Sequence, residues 1–219
     1  NVLPDSSNLV LNGTGTLDMG SFSDTVAAVT VNGTAGGISG SGANLTGSSY
    51  TVNGTSGGVT ISANLLGSGT LTKSNAGNLT LSGSNGYTGN TTLTGGITIA
   101  GSDTAFGSGG TVVLNAGTLQ ASSTRTLANP VSLNANSTIS GASAITFTGN
   151  LTDTLSGNTT LTVSSTGLTT FGNVTLASDA VASTFTLAGT GNVTIGGVIS
   201  EGAATGTSLL KSNTGTVTL

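Results

Sequence analysis

Lys73-Ser-Asn-Ala-Gly-Asn-Leu-Thr-Leu81 recurs as Lys211-Ser-Asn-Thr-Gly-Thr-Val-Thr-Leu219, with six of nine positions identical at an offset of 138. The same offset pairs Ile61-Ser62 with Ile199-Ser200 and Leu71 with Leu209. A second duplication interleaves with the first. Leu11-Asn-Gly-Thr-Gly-Thr-Leu17 resembles Leu114-Asn-Ala-Gly-Thr-Leu119, and Val29-Thr-Val-Asn32 matches Val131-Ser-Leu-Asn134. The chain therefore reads as two alternating modules: B over 2–34, A over 59–101, B over 105–134, and a truncated A over 198–219. A β-sandwich has no reason to repeat in this way, whereas an array of stacked coils does.

Between and within the modules, short alternating runs recur: Val29-Thr-Val31, Val59-Thr-Ile61, Leu79-Thr-Leu81, Ile97-Thr-Ile99, Val131-Ser-Leu133, Leu161-Thr-Val163 and Val193-Thr-Ile195 among them. Strand side chains alternate, so each run sends two apolar groups to one face and a hydroxyl to the other. Asn-Gly, Gly-Gly and Ser-Gly pairs separate the runs and are read as bends that need positive φ. No stretch keeps the three- and four-residue apolar spacing of a helix. The predicted fold is all-β, a right-handed parallel β-helix (β-solenoid) formed by residues 1–219 as one segment. Right-handed winding is the default for parallel crossovers. At roughly 20–25 residues per rung, the chain makes on the order of ten rungs, spaced about 4.8 Å apart along a rod ~45 Å long. Asn at recurring bends is expected to form amide ladders along the axis.

Composition removes most chemistry. Of 219 residues, three are Lys or Arg and seven Asp or Glu; His, Cys and Trp are absent. Thiol chemistry and imidazole catalysis are thereby excluded. The net charge of −4, with three scattered basic residues, leaves no electrostatic footprint for nucleic acid. No apolar run is long enough for a membrane-spanning helix. Seven aromatics are too few for the girdles of a transmembrane barrel. Low charge with abundant Thr, Val and Ile argues for an ordered backbone over disorder.

From Gly69 through Lys73, Gly77, Leu79, Leu81, Gly83, Asn85, Tyr87 and Gly89, the first A module resembles the autotransporter-associated β-strand repeat. Lys211 and Gly215 carry the same motif in the second copy. The B module, from Leu3-Pro-Asp5 to Val26, is similar to the segments that separate such repeats. The match departs at Asn75, where the family usually has Gly, and at Gly86, where it usually has Thr. The resemblance implies a parallel β-helix exported to a bacterial surface, with no family-wide catalytic residues and no cofactor.

The natural rival in the same architecture is a carbohydrate-active enzyme, a lyase or hydrolase, which needs converging carboxylates. Asp18 and Asp24 are the closest pair in sequence, but their counterparts in the second B module are Gln120 and Thr126, so they are read as turn or outer-face groups. Neither a calcium-roll nor an EF-hand spacing of Asp occurs. Lys73 and Lys211 are expected to lay their stems along apolar surface with the ammonium in water. Eleven Asn-x-Ser/Thr triplets, beginning with Asn12-Gly-Thr14 and Asn32-Gly-Thr34, are acceptor patterns for glycosylation, though their number does not establish it.

The chain opens inside a B module and stops inside an A module, on a strand, with no cap in sight. Uncapped solenoid rungs expose apolar side chains and unpaired backbone. Val2 and Leu3 at one end, and Val217 and Leu219 at the other, are therefore expected to stack on another copy or on further rungs. The expected protein is a non-enzymatic, extracellular bacterial surface component, either an adhesin or passenger rod or a stacked subunit of a filament. Its expected partners are itself and surface glycans or other cells.

Overall fold

The computed structural model describes residues 2–219; Asn1, where the segment opens, lies outside them. Every element is a short strand, every recorded strand pair is parallel, and the fold is a β-solenoid of about ten rungs. The chain divides into two compact units, 1–110 and 111–219, each with five rungs.

In the first unit, sheet 1 collects Leu9–Leu11, Val29–Val31, Ser49–Val52, Thr70–Lys73 and Thr91–Leu93. Sheet 2 collects Thr16–Asp18, Gly37–Ser39, Gly58–Ile61, Asn78–Leu81 and Ile97–Ala100. Sheet 3 has only Asp24–Thr25, Asn44–Thr46 and Asn64–Leu66, so the last two rungs have no strand on that side. The second unit has three complete sides. Its sheet 1 runs from Val112–Leu114 to Ile199–Ser200 and its sheet 2 from Thr118–Ala121 to Ser208–Lys211. Its sheet 3 runs from Arg125–Leu127 to Val217–Thr218.

Register ties the alternation to the core. Leu11 lies beside Val31, Val31 beside Val52, Leu17 beside Ile38 and Ile38 beside Ile61, so aliphatic side chains stack in interior columns. In the second unit Phe147 lies beside Phe171, their rings stacked at 5.3 Å and nearly parallel. The intervening Thr residues point outward and are half-buried, as at Thr30, Thr51, Thr72 and Thr92. Burying each interior Leu, Val or Phe contributes roughly 1.5–3 kcal/mol, which is how a chain with 5% charged residues holds its fold.

One strand reverses the expected alternation. Leu79 lies beside Thr98 and Leu81 beside Ala100, so Thr98 and Ala100 are buried while Ile97 and Ile99 face outward. A one-residue slip exchanges the two faces of a strand. The same two rungs already take the fully buried rings of Tyr87 and Phe106 inside, and Thr and Ala are the smaller pair to place beside them. The cost is a buried Thr98 hydroxyl with no hydrogen-bond partner.

Comparison of the two B modules exposes a second departure. Gly13 turns the first corner at φ +76°, and its aligned residue Ala116 adopts φ +75°. That left-handed conformation costs a residue with a Cβ about 1 kcal/mol or more. Ala116→Gly is therefore expected to stabilise the fold by about 1 kcal/mol in urea denaturation, while Gly13→Ala destabilises it.

Candidate functional site

The motif residues from Gly69 to Gly89 occupy the fourth rung of the first unit. Leu71 and Lys73 take the inward positions of one strand, Leu79 and Leu81 those of the next. Lys73 is wholly buried, beside Val52 on one side and Leu93 on the other. Its Nζ donates to the carbonyl oxygens of Ser74 (2.8 Å), Asn75 (2.9 Å) and Gly95 (3.2 Å). The expectation of a solvated ammonium is thus corrected here. Three carbonyls that turn inward at the corner replace water, and the last comes from the following rung. Burial holds the Lys73 pKa below its ordinary value.

Lys211 keeps one part of this arrangement. Its Nζ donates to the Asn213 carbonyl at 2.8 Å, as Lys73 does to Asn75, but the side chain is exposed. The duplicated segment also occupies different corners. In the first unit it bridges sheets 1 and 2, the same corner that carries the B-module Leu11–Leu17 segment. In the second unit the B-module segment Leu114–Leu119 bridges sheets 1 and 2, while the copy at 211–219 bridges sheets 2 and 3. The motif specifies a strand, a corner and a strand, without fixing the side of the coil.

At Asn75, where the resembling family carries Gly, φ is +63°. Asn is among the few residues with a Cβ that visit this region readily. Its Nδ2 also donates to the Asn53 carbonyl at 2.9 Å. Asn213, the same letter in the second copy, has no positive φ; it is buried and donates to the Gly191 carbonyl at 3.0 Å.

Asn85 and Tyr87 explain the missing strands. Asn85 is buried; its Oδ1 accepts from the Leu65 N–H and its Nδ2 donates to the Ala105 carbonyl, both at 2.8 Å. A side-chain amide thus bridges the third and fifth rungs where a backbone strand would otherwise do so. Tyr87 fills the space inside, its hydroxyl 2.6 Å from Thr91 Oγ1 and its ring tilted against Tyr50 at 5.8 Å. Desolvation pushes the Tyr50 phenol up to about 12, and Tyr87 higher still.

The motif glycines have a reason different from the expected one. Gly69, Gly77, Gly83, Gly89 and Gly215 do not have positive φ. A Cβ on Gly83 would lie 2.2 Å from the Ala63 carbonyl oxygen, one on Gly89 2.4 Å from that of Gly69, and one on Gly215 2.2 Å from that of Gly191. Each of these contacts is with the chain one turn of the coil earlier. They are glycines because adjacent corners leave no room for a side chain.

Asp18 and Asp24 lie at the corner between sheets 2 and 3 of the first rung. Asp18 accepts from the Gly20 N–H and the Ser39 hydroxyl, and Asp24 from the N–H groups of Leu3 (2.8 Å) and Val2 (3.2 Å). The Gly20 and Leu3 N–H groups are the main reason both carboxyls are held below their ordinary pKa. A cavity of about 190 Å³ beside them is walled by Leu3, Leu9, Leu17, Met19, Phe22 and Leu45. Among the described residues, no three of the metal-binding types His, Cys, Asp and Glu are grouped to hold an ion.

On the surface, Asn32 Nδ2 donates to Asn12 Oδ1 at 3.1 Å, and Asn53 Nδ2 to Asn32 Oδ1 at 3.2 Å. The expected amide ladder is therefore present. It is built from three Asn-Gly-Thr triplets, so a glycan on Asn32 or Asn53 would take one of the two N–H hydrogens of a ladder amide.

Sequence reasoning missed Asp153. This residue is fully buried beside Leu133; Oδ1 accepts from the Leu155 N–H and the Thr159 hydroxyl, both at 3.1 Å, and Oδ2 has no hydrogen-bond partner. Burial, with Asp179 adding to it, raises its pKa. The signal was its parity: in Leu151-Thr-Asp153 the carboxylate holds an inward position, as Lys73 does in Leu71-Thr-Lys73.

No family model matches the chain, and neither a curated protein nor a solved structure does.

Two outcomes follow from these buried charges. Lys73→Met is expected to cost about 2 kcal/mol, because three carbonyls lose a charged donor, while Lys211→Met costs less than about 0.5 kcal/mol. Parallel urea titrations check the contrast. For Asp153 the folded-state pKa is raised, so between the unfolded and folded values the native state binds the extra proton and stability falls as pH rises. Asp153→Asn should therefore raise neutral-pH stability by about 1 kcal/mol or more. That gain should shrink as pH falls through ~4 and vanish about a unit below it, where the carboxyl is neutral in both states. Melting temperatures recorded across this range read it directly.

Proposed function

We propose that the chain is a non-enzymatic structural segment of an extracellular bacterial surface protein, related to the autotransporter-associated repeats, that presents an adhesive or spacing surface. The supporting observation is how the polar groups are used. Outward positions carry columns of small hydroxyl and amide side chains, Thr30–Thr51–Thr72–Thr92 and Asn12–Asn32–Asn53 among them. Inward ionisable groups serve to hold corners, Lys73 through three carbonyls and Asp153 through Leu155 and Thr159. Asp18 and Asp24, the pair an enzyme would draw on, are engaged in fixing their own corner.

Such a surface offers repeated hydrogen-bonding groups at strand spacing and little charge, which suits contact with glycans or with other cells. The same architecture also suits a subunit that stacks on its own kind. The test is location. Antibodies raised against the outward Thr and Asn columns are expected to label intact source cells, and external protease to remove the label. Labelling that appears only after permeabilisation overturns the proposal.

A further inference from the structure

Inside the second unit, the corner between sheets 1 and 2 on the eighth and ninth rungs gathers buried oxygen atoms that other groups leave unsatisfied. Asp153 ends the sheet 1 strand Leu151–Asp153, and the sheet 2 strand of the same rung begins at Thr159. Both side chains are buried and take inward positions, and the Thr159 hydroxyl donates to Asp153 Oδ1 at 3.1 Å. Oδ2 of that carboxylate is buried and meets no donor.

The ninth rung brings further oxygens to the same corner. Phe185 lies beside Thr159, so Ser183, two residues earlier, carries the same inward parity one rung on. Ser183 is only 8% exposed, and its hydroxyl also has no hydrogen-bond partner. The Ser178 N–H donates to the main-chain carbonyl of Asp153 at 2.9 Å, which holds the start of the 176–183 corner against the eighth rung. Asp179 follows directly; it is half-buried, and its negative charge acts on Asp153.

Two carboxylates and two hydroxyls form an all-oxygen donor set, the kind that suits a hard cation. Such an ion takes up the lone pairs of Asp153 Oδ2 and Ser183 Oγ together, and it offsets the repulsion between Asp153 and Asp179. We propose that this corner is a calcium site, with Asp153 and Asp179 as charged ligands and the Ser183 and Thr159 hydroxyls as neutral ones. Calcium suits it better than magnesium, because calcium accepts irregular oxygen geometry whereas magnesium demands a near-ideal octahedron. With only two carboxylates, the affinity falls in the weak range of ~10⁻⁴–10⁻³ M. The ligands lie on two different rungs, so no calcium motif in the sequence marks them.

Calcium titration of the purified chain, read by isothermal calorimetry and by melting temperature, is the test. Relative to chelator with sodium chloride at equal ionic strength, ~10 mM calcium should raise the melting temperature by about 4 °C, as a Kd of about 0.3 mM implies. Asp153→Asn and Asp179→Asn should each weaken calcium binding at least about tenfold, because each removes one of two ligand charges. Ser183→Ala should weaken it by a smaller factor. In chelator Asp153→Asn is expected to be more stable than the wild type, so its loss of response to calcium cannot come from misfolding. A wild-type chain whose melting temperature does not respond to calcium overturns the proposal. So does a response that sodium reproduces at equal ionic strength, or one that either Asp variant keeps in full.

Discussion

Adjacent rungs share their backbone hydrogen bonds, and the roughly 4.8 Å spacing that this sharing imposes governs every other feature of the structure. At the corners the chains approach so closely that a single Cβ would collide with a carbonyl oxygen, as at Gly83 and Ala63 or Gly89 and Gly69. Between the corners the same spacing brings like positions together, so one apolar residue in each run becomes a column. Leu11, Val31, Val52 and Leu93 are such a column, interrupted by Lys73.

The interruption shows how the spacing can accommodate charge. Corner carbonyls that would otherwise face solvent turn inward around the Lys73 ammonium, one of them supplied by the next rung. Asp153 is held with less satisfaction, by one N–H and one hydroxyl, with an oxygen left over. At this corner a cation fits and a carboxylate would not, because the groups turned toward Lys73 are carbonyl oxygens, and these accept but cannot donate. The same logic accounts for Asn85. Its amide both accepts and donates, so it can stand in for a peptide group between the rungs above and below.

The outer surface follows the spacing too. Asn12, Asn32 and Asn53 link through their amides, and the Thr columns lie in register beside them. These groups stabilise the rungs that bear them and also form the regular polar surface on which the proposed adhesive or scaffolding role rests. In that proposal, folding and function draw on one set of side chains.

The sequence by itself determined the strands, their parallel stacking and most of the inward set. These depend on the two-residue alternation and on repeats that survive in one dimension. The inward parity of Lys73 and Asp153 was also legible, in Leu71-Thr-Lys73 and Leu151-Thr-Asp153, although what would satisfy them was not. Only the tertiary structure decided which carbonyls surround Lys73, why the motif glycines are glycines, and that Ile97 and Ile99 face outward. It also decided that one duplicated motif turns two different corners. The physical reason is common to all of these. Each depends on contact with a rung about twenty residues away, and the fit of a side chain against that neighbour is set by the stacking, not by the residues adjacent in sequence.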